Sequence, residues 1–127
     1  MIAQILIADD NADLVSVFES YFTKRHHRVL TAKDGFELAR MAGEHRPHLI
    51  IADIQMPGVY GSSVYHLLQK EPKTREIPVI FISAHPLEKI KGLLPDDPKT
   101  RFLQKPVVLE ALERLVKELL PLGGYLP

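Results

Sequence analysis

The chain has 127 residues, 46% of them hydrophobic, and its 16 basic and 16 acidic side chains leave no formal net charge. That length suits one domain with a full apolar core and would cramp two. The absence of cysteine excludes disulfides, thiolate metal sites and cysteine nucleophiles, and it fits a reducing compartment. No stretch is dense enough in Lys and Arg to suggest nucleic acid or an anionic membrane, and the apolar runs are too short to span a bilayer. Met1-Ile2-Ala3-Gln4 lacks the basic start of a signal peptide. The expectation is a soluble, cytoplasmic protein with no direct nucleic-acid or membrane contact.

Apolar runs of strand type alternate with segments of helical period. Gln4 to Ala8 reads as a buried strand, followed by a helix whose Leu14, Val17, Phe18, Tyr21 and Phe22 share one face, with Asn11 as its N-cap. Arg28 to Ala32 is a second strand. A helix from about Asp34 to His45 follows, stopped before Pro47. Leu49 to Ala52 is apolar without alternation, as a parallel strand covered on both faces would be. Pro57-Gly58 marks a loop, and a helix around Ser62 to Lys70 turns Val64, Leu67 and Leu68 inward. Ile77 to Ile82 is the fourth strand, its Pro78 tolerable near the start. Leu87, Ile90, Leu93 and Leu94 have helical spacing, but Pro95 and Pro98 cut that helix short. Arg101 to Gln104 is the fifth strand. Val108 to Leu120 is an amphipathic helix facing Leu112, Leu115, Val116 and Leu119 inward, ended by Pro121. Residues 1–120 thus form one domain, and 121–127 a short tail. Five strands alternating with five helices predict a doubly wound parallel sheet with helices on both faces.

Asp9, Asp10, Asp53, Ser83 and Lys105 all stand at or just past the C-terminal ends of strands, where open α/β sheets bind ligands. Singly, each has a plain reading. An Asp-Asp pair can cap the next helix, a serine can close a turn, and a lysine can lie solvated over its apolar stem. Asp53, at the end of an apolar strand, needs a partner. Together they make a chemical set. Three converging carboxylates ask for a cation, and all-oxygen ligands favour Mg²⁺ (or Mn²⁺) with a phosphoryl group nearby. Asp53 would be the nucleophile, forming an aspartyl phosphate, and Asp9 and Asp10 would hold the metal. Lys105 would pair with the acyl phosphate and Ser83 would bond one of its oxygens.

At these positions the chain resembles the receiver domain of two-component response regulators. The likeness rests on ILIADDN (5–11), DGFELA (34–39), PHLIIADIQMPG (47–58), IPVIFISA (77–84) and FLQKP (102–106), in that order. It implies a flavodoxin-like, CheY-like sheet of order 2-1-3-4-5. It also implies that Asp53 takes a phosphoryl group from a sensor histidine kinase or phosphotransfer protein and that the domain catalyses its own dephosphorylation. By the same resemblance Asp10 binds Mg²⁺ directly, Asp9 largely through water, and Gln55 through its backbone carbonyl. Lys105-Pro106 would be a cis peptide and Ser83 and Phe102 the switch pair, while Gln55 and His85 would tune phosphoryl lifetime. Phe102 also reads as an ordinary strand aromatic, and His85 as a plain exposed histidine. Output to an unknown downstream protein would pass through the fourth-helix, fifth-strand, fifth-helix face, which could also mediate a homodimer. The chain departs from the family where Pro98-Lys99 replaces the usual Gly-Ala ahead of the switch aromatic.

Two rivals share these residues: a phosphorylation-independent interaction module with the same fold, and an aspartate-nucleophile phosphohydrolase. The latter lacks its second aspartate, since Gln55 stands two residues after Asp53. A flavin site would want a phosphate-binding loop after the first strand, and none is seen. His26, His27, His45, His48 and His66 have no metal-ligand spacing and read as surface residues.

Overall fold

The computed structural model describes residues 2–56 and 61–125. The loop expected at Pro57-Gly58 and the tail residues Leu126 and Pro127 lie outside the described residues. The strands are β1 (Gln4–Ala8), β2 (Arg28–Ala32), β3 (Leu49–Asp53), β4 (Val79–Ser83) and β5 (Thr100–Gln104). The helices are α1 (Ala12–Thr23), α2 (Gly35–His45), α3 (Gly61–Lys70), α4 (Leu87–Ile90) and α5 (Leu109–Leu119), with 3-10 turns at Lys91–Leu93 and Leu120–Gly123. All strand pairings are parallel and the order is β2-β1-β3-β4-β5, so the expected 2-1-3-4-5 sheet is present.

The alternation along each inner strand divides the core in two. Ile5 and Ile7 of β1, Leu49 and Ile51 of β3 and Ile80 and Ile82 of β4 face Phe18 and Phe22 of α1 and Leu112, Val116 and Leu119 of α5. Leu6, Ile50, Ala52, Val79 and Phe81 face the other way, onto α2, α3 and Ile90 of α4. Every residue of β3 and β4 is buried, which explains why their sequences show no polar alternation.

Helix starts follow local chemistry. Asn11 caps α1, its Oδ1 accepting from the Asp13 and Leu14 amides, and Asp34 caps α2 through the Glu37 amide. The inward faces differ in detail from the sequence reading. Val17 and Leu67 are exposed, because the buried rows are Phe18 with Phe22 on α1 and Val64, Tyr65 and Leu68 on α3. Strand β4 begins at Val79, not Ile77, because Pro78 has no N–H to offer. Helix α4 is a single turn, and its Leu87 and the following Leu93 are exposed while Ile90 is buried. Helix α5 ends at Leu119 and the chain passes Pro121 in a 3-10 turn. Gly123 then approaches the His48 carbonyl so closely that an added Cβ would lie 1.9 Å from the oxygen, so no other residue fits without a backbone shift.

Candidate functional site

Each central strand delivers its polar residue by the same local device. At the end of β1, Asp9 Oδ1 accepts the Asn11 amide at 2.9 Å; at the end of β3, Asp53 Oδ1 accepts the Gln55 amide at 2.9 Å. At the end of β4, Ser83 Oγ accepts the His85 amide at 3.0 Å. These i to i+2 bonds bend the chain off the sheet and fix the side chain that makes them. Because β1 and β4 both pair with β3, the three turns lie side by side along one edge. Lys105 follows β5, its amide bonded to the Ser83 carbonyl at 2.7 Å, and the next peptide, Lys105–Pro106, is cis.

The side chains meet. Lys105 Nζ donates to Asp53 Oδ2 at 2.9 Å and stands 2.8 Å from Asp9 Oδ2. One carboxylate oxygen from each of Asp9, Asp10 and Asp53 lies within 4.8 Å of the others, with Asp9 and Asp53 buried and Asp10 exposed at the lip. Asn11, not either aspartate, caps α1, so neither Asp9 nor Asp10 is consumed by the helix.

Charge in this cluster is unbalanced, three carboxylates against one ammonium. Burial pushes the Asp53 carboxyl above its ordinary pKa, and the nearby Asp9 charge adds to that; the bonds from Lys105 and the Gln55 amide offset it only in part. Burial disfavours the Lys105 charge too, but Asp9 and Asp53 outweigh it and raise its pKa. Asp9 Oδ2 has no aligned hydrogen bond, its approach to Lys105 being an ion-pair contact alone. A buried, under-satisfied carboxylate oxygen among two other carboxylates suits a hard divalent cation, so the residues present fit Mg²⁺ or Mn²⁺.

The other residues singled out in the sequence lie around this centre. Ser83 is fully buried, and Gln55 and His85 are exposed beside it. Phe102 sits on β5 opposite Phe81 of β4, half-buried against the α2/α3 core. His26, His45 and His66 are exposed, but His27 and His48 are not the surface residues the sequence suggested. His48 Nδ1 accepts the Gln4 amide at 2.9 Å, and His27, whose pKa burial lowers, packs against Phe22 and Tyr125. Both lie at the opposite end of the sheet from the carboxylates. Among the described residues no helix is long and apolar enough to cross a membrane.

Two polar pairs escaped the sequence reading. Tyr21 of α1 donates to Glu113 of α5, and Tyr65 of α3 donates to Asp97 in the segment before β5. Their partners are 92 and 32 residues apart, so no local pattern announces them.

Comparison with known proteins places the geometry in context. Residues 5–117 match the family described as "Response regulator receiver domain". The chain is 37% identical over 109 residues to response regulator PleD of Caulobacter vibrioides, covering 84% of this chain and 24% of PleD. It is 30% identical over 118 residues to protein PilH of Pseudomonas aeruginosa, covering 93% of this chain and 98% of PilH. The chain thus spans about a quarter of PleD and nearly all of PilH. Among solved structures, the receiver domain of sensor histidine kinase PA1611 from Pseudomonas aeruginosa PAO1, with a magnesium ion coordinated in its active site cleft, superposes with a TM-score of 0.86. It is 24% identical, and the match covers 95% of this chain and 99% of that one. Chemotaxis response regulator CheY4 of Vibrio cholerae superposes with a TM-score of 0.82 at 23% identity, over 94% of this chain and 99% of that one. With the family's match running through all three turns and the lysine that joins them, the chain belongs to the receiver domains of two-component response regulators.

Proposed function

We propose that this receiver domain takes a phosphoryl group onto Asp53 from the phosphohistidine of a kinase or phosphotransfer protein. The observation that carries the reading is Asp53 itself, buried at the end of the central strand with Lys105 Nζ 2.9 Å from one oxygen and two more carboxylates beside it. In the transfer, an Asp53 oxygen bonds to phosphorus as the P–N bond breaks, and the electron pair returns to the imidazole of the donor. Water later attacks the same phosphorus, releasing phosphate and restoring the carboxylate.

Asp9, Asp10, Asp53 and the backbone carbonyl of Gln55 would hold Mg²⁺, which supplies positive charge to phosphoryl oxygens when bound. The chain's own residues do the rest. The Gln55 amide orients Asp53 by holding Oδ1, leaving Oδ2 facing Lys105. Lys105, already charged and already at the site, balances negative charge on the acyl phosphate without reorganisation. The Ser83 hydroxyl accepts from His85 and keeps its own proton to donate toward a phosphoryl oxygen. Phosphorylation shifts the domain only as far as the active conformer binds that group better, and Ser83 and Phe102 are the pair through which we read that difference. Gln55 and His85, exposed beside the centre, would tune the access of water and so the phosphoryl lifetime. The α4, β5 and α5 face would carry the change to a downstream protein or to a second copy. We read the domain as working in the cytoplasm, where a phosphohistidine donor and Mg²⁺ would be met.

Intact mass after incubation with acetyl phosphate tests the reading. One added phosphoryl group is expected with Mg²⁺, and none without Mg²⁺ or in Asp53→Asn. Should rapid hydrolysis erase the adduct, beryllofluoride with Mg²⁺ replaces it as a stable analogue. Failure of both would favour a phosphorylation-independent module, and turnover of small phosphate esters would favour a phosphohydrolase. Light scattering with and without beryllofluoride reports whether phosphorylation drives dimerisation.

A further inference from the structure

The end of the sheet away from the carboxylates gathers basic side chains in one recess. Strand pairing sets Gln4 of β1 beside Arg28 of β2, while the His48 amide bonds to the Gln4 carbonyl at 2.8 Å from the other side. Helix α2 ends above them in His45 and Arg46. These residues, with Ile2 as an apolar lip, line a recess of about 280 Å³, and among the described residues that line it none is acidic.

Among the described residues neither Arg28 nor Arg46 has an acidic partner. Glu44, the nearest acid in sequence, has both oxygens 3.1 Å from Arg40 Nη1 and Oε2 3.9 Å from His45 Nε2, so it meets the histidine of the recess but neither arginine. His48 spends Nδ1 as the acceptor for the Gln4 amide, so the neutral ring carries its proton on Nε2 and offers a donor. Cations at the end of α2 partly answer the helix dipole, but that end amounts to only about half a charge. Two guanidiniums exceed it, and Arg28 belongs to a strand, not to the helix. Arg46 also holds a left-handed backbone, φ 45°, where glycine or asparagine is usual. In sequence the cations are split between positions 28 and 45–48, so no dense basic run announces the recess.

We propose that this recess is an anion site that takes a phosphate or phosphomonoester group, independent of the Asp53 chemistry. Arginine pairs favour phosphate through forked, charge-assisted hydrogen bonds, and the volume suits one phosphate with a small substituent. The group could belong to a free metabolite or to a lipid headgroup, and the two share this recognition.

Amide-resolved NMR titration of the full chain with inorganic phosphate, at constant pH and ionic strength against chloride, tests the assignment. Saturable shifts are expected at the amides of Gln4, Arg28, Arg46 and His48, in the wild type and in Asp53→Asn alike. Arg46→Gly removes a guanidinium while relieving the left-handed backbone, so it retains the fold. Arg46→Gly and Arg28→Gln should each weaken binding by ~3–10-fold and together by more than ~10-fold, as loss of charge-assisted bonds implies. Glycerol phosphate, and vesicles of phosphatidylcholine with phosphatidic acid, then separate the sources. Arginine-dependent sedimentation with the vesicles assigns the headgroup, and binding of glycerol phosphate without sedimentation assigns a free phosphomonoester. Shifts that do not saturate, that chloride reproduces, or that both variants retain would overturn the site. So would arginine-dependent binding to a DNA duplex without saturable phosphate binding, which would mark a diffuse basic surface instead.

Discussion

The two faces of the sheet are closed by different means. On one, α1 and α5 lay full helices over the strands and bury Phe18, Phe22, Leu112, Val116 and Leu119. On the other, α2 and α3 do the same for β1 and β3, but α4 gives one turn and a single buried side chain, Ile90. Each face also has a tyrosine bonded to a carboxylate. Tyr21–Glu113 joins two complete helices at the rim, with Arg25 stacked 3.5 Å from the Tyr21 ring and Lys117 3.1 Å from Glu113. Tyr65–Asp97 is more enclosed. Its ring packs edge-on against Phe81, and Lys99 adds a 2.8 Å bond to the same Asp97 oxygen. The lesson is that where the prolines stop a helix, a polar clasp holds the chain that should have been helix. On the complete face the corresponding pair is an ornament of packing already achieved.

This contrast can be broken at several points. Leu112→Ala empties a fully buried position and should cost about 2–5 kcal/mol in urea denaturation, with Ile90→Ala at the low end of that range or below it. Equal losses would mean that α4 closes its face as firmly as α5. Tyr65→Phe keeps the ring and deletes one bond to a charged acceptor, so about 1.5–3 kcal/mol is expected, with faster exchange at the amides of Asp97, Lys99 and Thr100. Tyr21→Phe should cost clearly less than Tyr65→Phe, because its partners are reached by solvent.

The smallest effects are expected in acid. The Tyr21 hydroxyl, Lys117 and Arg25 all bond to Glu113 and hold its pKa at about 2, against an ordinary 4.5. Its contribution is therefore complete above the ordinary range and fades as pH falls from about 4.5 towards 2. Burial works against the Asp97 charge, but Lys99 and Tyr65 outweigh it and leave its pKa lowered, so its contribution fades in the same direction below the ordinary 3.8. Melting temperature followed from neutral to acid pH should fall less steeply in Glu113→Gln and in Asp97→Asn than in the wild type. An unchanged slope in Asp97→Asn would remove the clasp from the stability of that face.

Much of this was legible before any coordinates. The strands announce themselves because their residues are apolar on both faces, and the carboxylates because a charge at the end of such a strand must be answered. Even the three turns that aim Asp9, Asp53 and Ser83 have a sequence trace, a short polar acceptor two residues before an amide in a non-helical bend. What the sequence hid is of two kinds. Helix faces blur by one position, so the pattern turns Val17 and Leu67 inward and passes over Tyr65; a hydrophobic stripe wider than the contact cannot say which edge is covered. Long-range polar pairs and the basic recess depend on chain reversal, which brings positions 28 and 46 together with nothing in their local spacing to say so.

A chain with zero formal charge is easily taken for an electrically featureless one. Here the carboxylates of positions 9, 10 and 53 crowd one end of the strands, and the arginines of positions 28 and 46 line a recess at the other. The two clusters differ in sign and lie at opposite ends of the strands, so each end offers a charged partner its own local field, which salt confines to about 8–10 Å.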